Sequence, residues 1–130
     1  MIVLDASAAV ELLLGTASGR AIAARIAPRS QTLNAPHLID IEVAHALRRY
    51  VQLGQLTTAR ARQALDDFCG LDVERFAHEP LLPRIWALRS NASAYDAAYL
   101  ALAEALSASV VTHDAKLSTI PGVRAAVEVY

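Results

Sequence analysis

Two aspartates follow short apolar segments that have the composition of buried β-strands. Asp5 comes directly after the strand candidate Ile2–Leu4, and Asp114 comes just after the strand candidate Ser109–Thr112. Ligands of open α/β sheets bind beyond the carboxyl ends of the strands, so we expect both carboxylates on one rim. Either residue alone is also well suited to cap the helix that follows it. Together they place like charges close to each other, which is costly unless a cation is present, so the pair indicates a metal site.

A third carboxylate, Asp96, stands near the start of a helix predicted from Ser93 to about Ser107. Ser93 and Asp96 have the spacing of a capping box, with Asp in the usual Glu position, and a purely structural role stays open. The segment Ala97–Ala103 is apolar almost all round, which is typical of a central, buried helix. The N-terminus of such a helix carries partial positive charge, so an anionic group held there is oriented in advance.

The fourth candidate is one of two acids on the helix predicted over Leu38–Leu53. Asp40 and Glu42 are two residues apart, a rotation of about 200° on a helix, so only one of them can enter a shared site. Glu42 lies on one polar face with His45 and Arg49, whereas a dipole role in the first turn suffices for Asp40. We therefore choose Glu42, with a solvated polar face as the alternative.

The candidate site offers a metal only oxygen ligands. Cys69 is the sole cysteine, which excludes an intrachain disulfide and a cysteine-based zinc cluster. Three aspartates and a glutamate suit Mg²⁺ or Mn²⁺, ions that activate water and neutralise a leaving oxyanion in phosphate chemistry. The formal charge is −1, from 12 basic and 13 acidic residues. Without the four site acids, 9 acidic residues remain against 12 basic ones, so the rest of the chain attracts phosphate, which suits a nuclease.

The remaining segments alternate between helical and strand patterns, which predicts an α/β fold with right-handed crossovers and a parallel sheet covered on both faces. At 130 residues the chain has the length of one domain, 1–130. No apolar stretch reaches the length of a membrane-spanning helix and no charged leader precedes Ile2, so we expect a soluble, cytoplasmic protein. The other predicted elements are helices over Ser7–Leu14, Thr16–Ala27 and Leu82–Leu88, a helix capped by Thr57, and strands over Thr32–Asn34, Val73–Ala77 and Val127–Val129.

Four segments, in order along the chain, resemble the PIN-domain ribonucleases, specifically the VapC-like toxins of bacterial toxin–antitoxin pairs. The resemblance implies a small three-layer α/β/α sandwich with a short central parallel sheet. It also implies that Asp5, Glu42, Asp96 and Asp114 bind Mg²⁺ or Mn²⁺ and cleave RNA, leaving a 5′-phosphate and a 3′-hydroxyl. The segments are Ile2–Ser7, Pro36–Glu42, Tyr95–Ala103 and Val110–Asp114.

The family pattern also makes Ser7 and Thr112 polar supports that orient the carboxylates or contact a metal-bound water, although either residue could equally be a helix cap or strand end. The chain departs from the pattern in two places. His45 stands where an asparagine is frequent, and Lys116 stands where some members carry a further acid. The supporting residues, the roles of His45, Arg49 and Lys116, and the number of metals therefore stay open.

The resemblance further implies a homodimer and a cognate VapB-like antitoxin that covers the acidic groove. The helices around Val10–Leu14 and Ala61–Phe68 carry more apolar side chains than one face can bury, so we expect a cleft between them for an amphipathic antitoxin helix. The alternative is that these helices pack wholly inside and that any exposed surface forms the homodimer contact.

Two other functions stay open from the residues alone. Asp5 after a strand could be the nucleophile of a phosphohydrolase or phospho-acceptor domain. Two residues oppose this interpretation. Haloacid-dehalogenase-like phosphohydrolases need a second aspartate two residues after the first, where Ser7 stands. Response-receiver folds need a late lysine after a separate strand, whereas Lys116 follows Asp114. The acids could also be helix caps in a non-catalytic α/β module that binds a partner.

Overall fold

Five short parallel strands form one sheet, and six α-helices surround it in the computed structural model, which describes residues 1–130. The predicted α/β class and parallel sheet are confirmed. In chain order the elements are β1 (Ile2–Leu4), α1 (Ala6–Leu14), α2 (Ala17–Ile26), β2 (Leu33–Pro36), α3 (Ile39–Gln52), α4 (Thr58–Cys69), β3 (Val73–Phe76), α5 (Leu82–Ala87), α6 (Ala94–Leu106), β4 (Ser109–Thr112) and β5 (Val127–Val129).

The strand order is β3-β2-β1-β4-β5, so β1 lies at the centre of the sheet and the direction of winding reverses between β1 and β4. Ile2 pairs with Leu33 of β2 on one side and with Ser109 of β4 on the other. In open parallel sheets a reversal of this kind leaves a crevice at the carboxyl ends of the two strands, because their following segments diverge to opposite faces. The fold therefore provides its ligand site beyond β1 and β4.

The helices form two layers, as the right-handed crossovers predict. Helices α1 to α4 pack on one another on one face, and α5 packs on α6 on the other. Helix α6 also contacts β1, β2 and β4. Its segment Ala97–Ala103 is buried throughout, as predicted for a central helix. The outcome is the expected three-layer α/β/α sandwich.

Three local details differ from the sequence predictions. Strand β2 extends through Pro36 instead of ending before it, because β1 pairs with β2 only at Leu33 and Asn34 and needs no N–H from the proline. The prolines near α5 produce a 3₁₀ turn over Glu79–Leu81 before the helix begins. A further 3₁₀ turn, Ala115–Thr119, follows Asp114 and was not predicted.

Glycines fix the hairpin between α1 and α2. Gly15 ends α1 in the left-handed region with φ +66°, where a side chain would be strained. Gly19 lies against α1 so closely that a Cβ there would stand 1.9 Å from the Glu11 carbonyl oxygen. Helix α1, which begins right after Asp5, is thereby held in place.

No helix of the protein combines the length and the apolarity needed to cross a membrane.

Candidate active site

All four predicted carboxylates line one pocket of about 650 Å³ at the carboxyl end of β1 and β4. Asp5 follows β1, Asp114 follows β4, Glu42 comes from the first turns of α3, and Asp96 comes from the first turn of α6. Helices from both layers therefore meet the sheet at this edge. The sequence separates the four residues widely, and the reversal of the sheet brings them together.

Asp5 is 7% exposed, and its side chain does not cap α1. Its Oδ2 instead accepts a hydrogen bond from the Ser7 hydroxyl at 2.5 Å and one from the Thr112 hydroxyl at 2.8 Å. Thr112 is fully buried, and its Oγ1 also accepts from the Asp114 N–H at 3.0 Å. The two hydroxyls thus orient Asp5, and Thr112 ties it to the backbone of Asp114.

Glu42 is half-buried, and its Oε2 accepts a hydrogen bond from the Tyr99 hydroxyl at 2.6 Å. Burial raises the pKa of the Glu42 carboxyl, the Tyr99 bond opposes this shift, and the charges of Asp5 and Asp96 add to it. Burial and the bond to Glu42 also raise the pKa of Tyr99, so this hydroxyl stays protonated.

The sequence analysis did not single out Tyr99, which lies in a run of apolar residues that indicates core. The available signal was the hydroxyl itself, because a buried tyrosine needs a hydrogen-bond partner and most of its neighbours on α6 cannot provide one.

Asp96 and Asp114 both have a structural role beside their place in the pocket. The Ser93 hydroxyl accepts a hydrogen bond from the Asp96 N–H at 3.1 Å, which caps α6. Asp114 Oδ1 accepts from the Lys116 N–H at 2.9 Å and caps the following 3₁₀ turn. Burial raises the pKa of the Asp96 carboxyl, and the charges of Asp5 and Asp114 raise it further.

Of the other polar residues considered on α3, only His45 lies at the pocket. Asp40 lies away from the pocket and pairs with Arg75 of β3 at 2.8 Å, so the choice of Glu42 as the pocket residue agrees with the structure. His45 is exposed and lines the pocket next to Glu42. Arg49 is exposed and is not among the pocket residues.

The charges and donor atoms of the pocket fit a small divalent cation. Burial and then repulsion from neighbouring carboxylates raise the pKa of Glu42 and of Asp96, and a cation between them would relieve the repulsion. Asp5, Glu42 and Asp114 each use one oxygen for a hydrogen bond within the protein, at Oδ2, Oε2 and Oδ1. As the side chains stand, no group of three or more His, Cys, Asp or Glu residues is arranged to hold a metal ion. The donor types suit a divalent cation, and the four carboxylates line the pocket without converging on one point.

The apolar part of the pocket lies between α1 and α3, where Val10, Ala46 and Tyr50 line it. This position differs from the predicted cleft between Val10–Leu14 and Ala61–Phe68. Arg60 of α4 donates a hydrogen bond to the Leu13 carbonyl oxygen at 2.7 Å, which links α4 to α1. The apolar groove is therefore continuous with the carboxylates and is formed by a different pair of helices.

Sequence comparison matches the chain to PIN domains and to VapC ribonucleases. The PIN domain family model matches residues 2–123. Ribonuclease VapC9 of Mycobacterium tuberculosis is 46% identical over 118 residues, which cover 91% of this chain and 89% of that protein. Ribonuclease VapC12 of the same species is 40% identical over 128 residues, 98% of this chain and 98% of that protein.

Solved structures share the fold at much lower sequence identity. PAE2754 from Pyrobaculum aerophilum superimposes with a TM-score of 0.72 at 23% identity, over 99% of this chain and 83% of that one. VapBC2 from Rickettsia felis, crystallised with a DNA fragment from its promoter, gives a TM-score of 0.73 at 16% identity, over 100% and 99% of the two chains.

Proposed function

The chain belongs to the PIN-domain family, and on that premise we propose that it is a cytoplasmic, metal-dependent endoribonuclease, the toxin of a toxin–antitoxin pair. The observation that carries the proposal is the pocket in which Asp5, Glu42, Asp96 and Asp114 stand together. The VapC ribonucleases that the chain matches over most of its length support the reaction class.

The four carboxylates would hold Mg²⁺ or Mn²⁺, hard cations that prefer oxygen ligands. When bound, such an ion lowers the pKa of a water and stabilises negative charge on a scissile phosphate. The chain's own contribution is positional. Ser7 and Thr112 fix Asp5, and the cap of α6 fixes the backbone of Asp96. The proposed products carry a 5′-phosphate and a 3′-hydroxyl, and no protein nucleophile is needed.

Incubation of the purified protein with a mixed RNA pool tests the activity. We expect cleavage with Mg²⁺ or Mn²⁺ and none with EDTA. Asp40→Asn serves as a control, because Asp40 lies on the same helix as Glu42 but pairs with Arg75 outside the pocket. Cleavage that persists in EDTA would contradict the metal dependence, and the absence of cleavage under every condition would contradict the ribonuclease itself.

We further propose that a VapB-like antitoxin covers this pocket. The groove between α1 and α3 offers apolar walls that end at five carboxylates, which fits an amphipathic segment carrying an arginine or lysine. Ile41 stands at the pocket and is 74% exposed, so Ile41→Arg adds a repulsive charge for a basic segment without disturbing the core. Co-expression with the adjacent small gene, followed by size-exclusion chromatography, should give a complex that Ile41→Arg weakens. A toxin that elutes alone would contradict the partner.

A homodimer is also proposed. Leu82 and Trp86 lie one turn apart on α5 and are 52% and 68% exposed, so this face provides apolar surface away from the pocket. Analytical ultracentrifugation of wild type and Trp86→Glu checks it. We expect a dimer that the charge dissociates, and a wild-type monomer at high concentration would contradict the proposal.

A further inference from the structure

Tyr99 connects two elements that meet at the pocket. It belongs to α6, is 1% exposed, and donates a hydrogen bond from its hydroxyl to Glu42 Oε2 on α3 at 2.6 Å. The Tyr99 hydroxyl therefore holds one oxygen of the Glu42 carboxylate.

The Tyr99 contact affects how Glu42 can present its two carboxylate oxygens to a cation. A carboxylate with both oxygens free can bind a cation through two atoms, which is common for Ca²⁺. The Tyr99 bond engages one lone pair of Oε2 and turns that oxygen towards α6, while Oε1 accepts no hydrogen bond within the protein. Ser7 and Thr112 occupy Oδ2 of Asp5 in the same way. Single-oxygen ligands suit the compact octahedral shell of Mg²⁺, so the pattern favours the smaller ion.

We propose that Tyr99 is a positioning residue for Glu42, holding Oε2 towards α6 so that Oε1 is the oxygen presented to a cation and the pocket prefers Mg²⁺ or Mn²⁺ to Ca²⁺. This proposal rests on the proposed metal-dependent function. Phe at position 99 would keep the ring in the core and remove only the hydroxyl. Tyr130→Phe is a matched control, because it removes a tyrosine hydroxyl that donates to a different glutamate, Glu128, outside the pocket.

Calorimetric titration of the free protein with Mn²⁺ and with Ca²⁺ tests the proposal without an activity measurement. Residues that orient metal ligands typically contribute 10–100-fold to metal affinity, so we expect Tyr99→Phe to weaken Mn²⁺ binding by about 10-fold or more. Ca²⁺ binding should fall less, because the freed oxygen permits two-atom ligation. Tyr130→Phe should bind both ions like wild type. Circular dichroism checks that both variants are folded.

A double-mutant cycle with Glu42→Gln shows whether Tyr99 acts through Glu42. We expect the effect of Tyr99→Phe on Mn²⁺ affinity to disappear when Glu42 is already changed. An equal effect in both backgrounds, or wild-type affinity and ion preference in Tyr99→Phe, would overturn the positioning role alone. Failure of the wild-type protein to bind Mn²⁺ would overturn the metal-dependent function and this proposal with it.

Discussion

At the scale of single residues, the carboxylates of the pocket oppose the stability of the metal-free protein. Burial and neighbouring charges raise the pKa of Glu42 and of Asp96. A carboxyl whose pKa is higher in the folded than in the unfolded state contributes stability at low pH, and this contribution is lost as the pH rises through the folded pKa. At neutral pH both groups are therefore destabilising until a cation compensates their charge.

Asp96→Asn should reduce activity and raise stability in the same protein. The amide keeps the size of the side chain but removes a charge that would hold the ion. We expect kcat/KM for RNA to fall by at least about 100-fold, more than residues that only support metal ligands usually contribute. Thermal unfolding in EDTA at neutral pH should show a higher Tm than wild type, with a smaller difference at acid pH. Full, metal-dependent activity of the variant would remove Asp96 from the mechanism.

At the scale of elements, a buried ion pair attaches α5 to α6 behind the pocket. The Glu104 side chain is 6% exposed and binds Arg84 through both oxygens, at 2.7 and 3.0 Å. Arg84 also donates to the Gly122 carbonyl oxygen at 2.6 Å. The Arg84 guanidinium lowers the pKa of Glu104 from 4.5 to about 2. The pair thus fixes the helix that carries Asp96 and Tyr99.

Arg84→Ala should destabilise the fold by about 2 kcal/mol, because it removes the main partner of Glu104 and leaves only the hydrogen bonds from Arg124. Arg62→Ala is a suitable control. Its partner Asp66 lies on the same helix, and the two side chains are 74% and 56% exposed, so the loss should stay within about 0.5 kcal/mol. Urea unfolding measures both variants. Equal effects would contradict the role assigned to burial.

The same ion pair predicts how stability depends on acid pH. Glu104 has a lowered pKa in the fold, so its contribution is complete above about pH 4.5 and is lost as the pH falls towards 2. We expect the wild-type free energy of unfolding to decrease over this window and the slope to be shallower in Arg84→Ala. Parallel pH profiles for the two proteins would show that other groups are responsible.

The contact between α1 and α2 depends on the missing side chain of Gly19. Gly19→Ala places a methyl group against the Glu11 carbonyl, and the atoms it meets are backbone atoms of α1, which cannot rotate away as a flexible side chain would. We expect a loss of about 3 kcal/mol or more, within the range of severe overpacking. Gly15→Ala meets no atom within 4 Å but has φ +66°, so its cost should be about 1–2 kcal/mol. A reversed order in urea unfolding would contradict the close packing.

At the scale of the whole molecule, folding concentrates negative charge at one edge of the sheet. The chain has 12 basic and 13 acidic residues, and five of the acids line the pocket, namely the four predicted carboxylates and Glu11. The remaining surface is therefore slightly positive around an acidic centre, an arrangement that attracts both a divalent cation and a phosphate backbone.

Divalent cations should stabilise the folded protein by mass action, because the unfolded chain does not bring the four acids together. At a concentration 100 times the Kd the gain is about 2.7 kcal/mol, which corresponds to a rise in Tm of about 10 °C for a chain of this size. We expect this rise with Mn²⁺ in scanning calorimetry of the wild type, and a much smaller one in Asp96→Asn. An equal rise in both would place the ion elsewhere.

The sequence by itself determined the fold class, most element boundaries and four of the five acids of the pocket, and it missed Glu11. Apolar runs ending at Asp5 and Asp114 are local signals, and so is the apolar helix that Asp96 precedes. Only the tertiary structure decided which groups those acids contact. The bond from Tyr99 to Glu42 joins residues 57 positions apart, and the apolar groove depends on how α1, α3 and α4 pack. Such contacts follow from the order of the strands and the packing of whole helices, which no local pattern of residues encodes.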